Sequence, residues 1–100
     1  MSDCLDIEMV TGFDWDDGNV YKNKDKHGLD YWIIEEIFFN NPLLLHQDEK
    51  HSREESRCYA LGCSDNGEKL FVVFTLRNLK IRVISARLMN KKERTIYENA

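Results

Sequence analysis

One hundred residues, 42% of them apolar and 11% aromatic, suffice for one small domain with a single core and leave too little for two. The formal net charge of −4 is unevenly spread: residues 77–100 hold seven Lys or Arg against two acids, whereas residues 1–76 hold seven against sixteen. The longest apolar runs, Leu43 to Leu45 and Leu70 to Phe74, fall far short of the roughly 20 residues that cross a bilayer, and Met1 to Glu8 lacks the basic start and apolar centre of a secretory signal, so a cytoplasmic chain without a membrane segment is expected.

Residues 1–9 are acidic and weakly patterned, which predicts a flexible leader ahead of a single domain over 10–100. Phe13-Asp-Trp-Asp16 alternates aromatic and acid and predicts a short strand with Phe13 and Trp15 facing inward. Asp16 or Asp17 then caps a helix that carries Val20, Lys24 and His27 on one side and stops at Gly28. Asp30 caps a second helix over Tyr31 to Phe39, with Leu29 and Ile34 placed as a hydrophobic staple, and Asn40-Asn41-Pro42 ends it. Four strands follow, Leu43 to Gln47, Arg57 to Cys63, Lys69 to Leu76 and Lys80 to Arg87, with turns at Ser64-Asp-Asn-Gly67 and near Arg77-Asn78. Asn90 and Glu93 have the spacing of a capping box for a last helix with Ile96 and Tyr97 on its apolar side. The expected fold class is α+β: an antiparallel meander with two N-terminal helices and one C-terminal helix.

Three cysteines, Cys4, Cys58 and Cys63, are an odd number, and Cys58 and Cys63 face opposite sides of one strand because they are five apart. Reduced thiols are the expectation. His27, His46 and His51 do not join them at zinc-ligand intervals, so neither a metal nor a cofactor is expected.

Several fragments keep a common order: Phe13-x-Trp-Asp16, Asn23, Lys26-His-Gly28, Phe39 before Pro42, Arg57 five residues before Gly62, Thr75-x-Arg77, Ile81-Arg-Val-Ile-Ser-Ala-Arg87, and Glu93-Arg94 with Tyr97. Together they resemble the BrnT-type toxins, the ribonuclease half of a bacterial type II toxin-antitoxin pair, over about residues 13 to 97. The resemblance implies a compact RelE-like fold, cleavage of RNA without a metal, neutralisation by a BrnA-type antitoxin, and contact with operator DNA only through that antitoxin.

Metal-free RNA cleavage needs a base for the 2′-hydroxyl, cations for the growing phosphoryl charge, and an acid for the leaving 5′-oxygen. His27, Arg82 and Arg87 are the catalytic candidates, with Arg82 placed ahead of Arg87 because it projects from the polar face of an alternating strand. Lys26, Arg77, Lys91 and Lys92 are the RNA-binding candidates, supplying positive charge to the phosphate backbone. Each has a plainer reading: His27 as a helix C-terminal cap, the lysines as solvated surface, Arg87 as a partner in an ion pair, and Glu93 as a capping-box acid. The alternative function is a BrnT-like interaction protein that binds an antitoxin or regulatory partner and cleaves weakly or not at all.

Overall fold

The computed structural model describes residues 4–51 and 56–100. A 3-10 helix over Cys4–Met9 precedes β1 (Gly12–Phe13), α1 (Asp17–Val20), α2 (Lys22–His27), α3 (Tyr31–Ile37), β2 (Leu44–Gln47), β3 (Arg57–Cys63), β4 (Lys69–Arg77), β5 (Lys80–Leu88) and α4 (Lys91–Glu98). The five strands form one sheet in the order β1-β5-β4-β3-β2. β2 to β5 are the expected antiparallel meander, whereas β1 departs from it by joining β5 in parallel.

The turns follow local chemistry. Asn78 and Leu79 take φ of 55° and 61°, the pair of positive angles that lets a two-residue loop match the twist of β4 and β5. Gly28 ends α2 at φ 72°, where any side chain would be strained.

One sheet face carries the main core. Cys58 and Ala60 of β3, Leu70, Val72 and Phe74 of β4, and Ile81, Val83 and Ala86 of β5 pack with Leu29, Ile34 and Ile37 from the α3 region. On the opposite face Tyr97 of α4 packs with Leu61 and Met89, and Phe71 lies against them. Farther along this second face Thr75 is buried, and its hydroxyl donates to the Ser56 carbonyl.

A β-bulge decides where the basic residues of β5 point. Val73 pairs with Ser85 and Phe74 with Val83, leaving Ile84 as the extra residue. In a regular strand Arg82 and Arg87, five apart, would face opposite sides. The bulge returns both to the second face, with Arg82 opposite Thr75 and Arg87 opposite Phe71.

Several expectations shift. The first helix is broken at Tyr21 into α1 and α2, and α3 stops at Ile37 rather than Phe39. Asp30 occupies the N-cap position, but its side chain makes no capping bond and its carboxylate pairs with Lys24 at 3.2 Å instead. Ile7 and Val10 pack against the main core, so the segment just before β1 contributes apolar surface. Cys58 is disulfide-bonded, which corrects the expectation of a reduced thiol there, whereas Cys63 is free as expected.

Candidate nucleic-acid interface

The N-terminal motif folds as a brace. Asp16 caps α1 by accepting from the Gly18 and Asn19 amides, while the Asn19 side chain accepts from the Asp16 amide to close a capping box. Beyond β1 the outer edge of β5 has no strand partner among the described residues, and side chains serve it instead: Asn19 donates to the Val83 carbonyl at 3.3 Å and Lys22 to the Ile84 carbonyl at 3.0 Å. Trp15 fastens the same segment to α3 through a 2.7 Å bond from its indole nitrogen to Glu35.

Arg82 belongs to this brace. Its guanidinium lies 2.8 Å from Asp16 and 3.4 Å from Asp14, with a side chain only 22% exposed. The hydrogen bond from Arg82 is the main reason that the Asp16 carboxyl titrates below its ordinary value. Two carboxylates around one guanidinium leave a local excess of negative charge, which is a poor setting for a phosphate.

Arg87 sits at the other end of the same face. Its Nη1 and Nη2 donate to Glu93 Oε1 and Oε2 at 2.8 and 2.9 Å, and its guanidinium lies 4.3 Å from the centre of the Phe71 ring. Glu93 also accepts from the Asn90 amide, completing the capping box of α4. The Arg87 hydrogen bond, first among the causes, holds the Glu93 carboxyl below its ordinary value. Arg94 donates to the Met89 carbonyl and Tyr97 to the Pro42 carbonyl. The spaced Arg87, Glu93, Arg94 and Tyr97 thus anchor α4 to the sheet.

From Arg87 a row of rings crosses the sheet. Phe71 lies 5.6 Å from Tyr59 at 31°, and Tyr59 stacks on His46 at 5.0 Å and 28°. Beside this row a groove of about 520 Å³ opens between the sheet and α4, lined by His46, Tyr59, Phe71, Asn90, Lys92 and Glu93 among others. Flat aromatic faces next to cations are what an unpaired nucleic-acid strand requires, rings for its bases and positive charge for its backbone.

The candidates named from the sequence are scattered around this feature. Arg87 joins the aromatic row, Lys92 lines the groove, and Lys91 is exposed at the start of α4. Arg82 lies four residues of β4 away from Arg87, roughly 13 Å at ~3.3 Å per residue. Arg77 is exposed at the far end of β4. His27 is exposed at the end of α2, which packs against β5, and the Lys26 side chain lies outside the described residues. His46, Tyr59 and Phe71 escaped notice because no local motif marks them. Only the strand register brings them together, through the pairs His46 with Tyr59 and Leu61 with Phe71.

No group of three or more His, Cys, Asp or Glu side chains among the described residues is arranged to hold a metal ion. No helix among them is long and apolar enough to cross a membrane.

No curated protein matches the chain. A family model does: the one described as ribonuclease toxin, BrnT, of type II toxin-antitoxin system matches residues 15–93, from the tryptophan that ties β1 to α3 through the glutamate that grips Arg87. With most of its length matched, this chain belongs to the BrnT family of ribonuclease toxins from type II toxin-antitoxin systems.

Proposed function

We propose that the protein cleaves single-stranded RNA in the groove between the second sheet face and α4, without a metal, by attack of a 2′-hydroxyl on the adjacent phosphorus. The single observation that carries this reading is the row Tyr59, Phe71, Arg87 beside the groove that Lys92 lines. Bases stack on the rings, and the two cations meet the backbone and the charge that grows on the phosphoryl oxygens. Arg87 takes precedence over Arg82 here, because Arg82 is enclosed by Asp14 and Asp16.

The family reading extends to partners. A BrnA-type antitoxin would neutralise the toxin in the cytoplasm, operator DNA would be reached only through that antitoxin, and the sheet flanked by helices would be a compact variant of the RelE-like fold. The acidic remainder of the chain suits a partner with a basic contact surface.

A second reading has its own support. Arg82 and Arg87 are both already paired with carboxylates of this chain, as in a protein that keeps the fold and binds its partner without efficient turnover. Purified protein incubated with RNA and EDTA decides between them. Cleavage that Arg87→Ala reduces at least tenfold favours the ribonuclease, and no cleavage at micromolar wild-type protein favours the binding module.

A further inference from the structure

The groove beside α4 shares a wall with a second depression of about 450 Å³, which runs along Gln47 to Lys50. His46 and Tyr59 line both. His46 lies on β2, an edge strand, and is exposed, so its ring is the outer end of the row that Arg87 closes at the inner end. Tyr59 is stacked on it at 5.0 Å. A strand of RNA crossing from one depression to the other would place one base on each side of this wall and the phosphate that joins them at its rim.

Resting on the ribonuclease reading above, we propose that His46 is the proton-transfer residue of the reaction and that the two depressions take the nucleotides on either side of the scissile phosphate. An imidazole exchanges protons near neutrality, and among the described residues that line either depression His46 is the one imidazole. Among the described residues, the charged and titratable groups that line the two depressions with it are Tyr59 of β3, Asp48, Glu49 and Lys50 of the segment after β2, and Lys92 and Glu93 of α4. His27 belongs to α2, which packs against β5, three strands from β2 or roughly 14 Å across the sheet. The two histidines therefore belong to elements at opposite sides of the sheet.

In the step itself neutral His46 removes the proton of the 2′-hydroxyl as that oxygen bonds to phosphorus and the bond from phosphorus to the 5′-oxygen breaks. The departing 5′-oxygen takes a proton from water, and the hydroxide left behind recombines with the proton on the imidazolium. The products are a 2′,3′-cyclic phosphate and a 5′-hydroxyl.

Three variants of the full chain test this: His46→Phe, which keeps an aromatic face and loses the proton, His46→Gln, and His27→Ala. RNA binding, cleavage in EDTA and thermal midpoints are measured for each. His46→Phe is expected to bind RNA within about threefold of wild type and to cleave at least a hundredfold more slowly, in line with the ~10²–10⁴ that a positioned proton-transfer group supplies. His27→Ala stands for the rival assignment, and its loss of cleavage is expected to be smaller than that of either His46 variant. His46→Gln serves as the second variant should phenylalanine lower the midpoint, and it should cleave at least a hundredfold more slowly as well. Cleavage by either His46 variant within threefold of wild type, or a comparable loss in His27→Ala alone, overturns the assignment. Wild-type protein that leaves RNA intact overturns the ribonuclease reading as well, and that result is told apart from the others by the wild-type lane itself.

Discussion

Arg87 and Glu93 meet through both arms of the guanidinium, at 2.8 and 2.9 Å, six residues apart across the junction of β5 and α4. The pair fixes the angle at which α4 leaves the sheet and sets one rim of the groove. It also neutralises a carboxylate that would otherwise repel a phosphate beside Phe71.

Glu93→Gln is expected to cost about 1 kcal/mol at neutral pH, the lower end for a charge-assisted pair because Arg87 stays partly exposed. The pH dependence has a definite sign. The folded-state value of Glu93 is depressed, so its contribution is present above the ordinary value of 4.5 and is lost as pH falls through the lower folded value. Urea midpoints measured between neutral and acid pH should show the gap between wild type and Glu93→Gln closing below about pH 4.5.

Tyr97 reports on the opposite end of the scale. Burial and the nearby Cys63 push its phenol up to about 12, while the hydroxyl donates to the Pro42 carbonyl at 2.7 Å. A raised value means that its contribution is complete below the ordinary value of 10 and is lost as pH climbs through about 12. Tyr97→Phe should remove the last step of the alkaline absorbance titration and cost about 1 kcal/mol, since it leaves a carbonyl without its donor.

Gly62→Ala is expected to destabilise the fold by about 1–3 kcal/mol. A β-carbon there would stand 2.9 Å from Cβ of Ile37 and 3.3 Å from Leu43, with Ile37 wholly buried. The close approach of α3 to β3, not an unusual backbone angle, explains the glycine. A thermal midpoint unchanged by the substitution would mean that α3 does not pack this tightly.

The two ends of β5 should separate in salt titrations of RNA binding. Lys92→Ala is expected to flatten the slope of log affinity against log salt by about one, whereas Arg82→Ala should lower stability and leave the slope as it is. The reason lies in their neighbours: Lys92 lines the groove, and Arg82 is held by Asp14 and Asp16.

Much of this was legible in the sequence. The strand limits of Arg57–Cys63, the Asn90 and Glu93 capping box, the Gly28 stop and the opposite faces of Cys58 and Cys63 all rest on local chemistry or a period of two. The parallel docking of β1 was not legible, because it depends on a pairing between residues nearly 70 positions apart. Nor was the common face of Arg82 and Arg87, which exists through one bulged residue that breaks the alternation. The groove stayed hidden for the same reason: His46, Tyr59 and Phe71 are ordinary strand residues until the register sets them in a row.

The central claim is that this groove cleaves RNA by its own 2′-hydroxyl. The most direct measurement is the fate of one oligonucleotide in EDTA, compared with the same sequence carrying 2′-deoxy sugars. The account predicts that wild-type protein cuts the RNA to 2′,3′-cyclic phosphate ends and leaves the deoxy strand whole. Equal cleavage of both strands, or intact RNA, would contradict it.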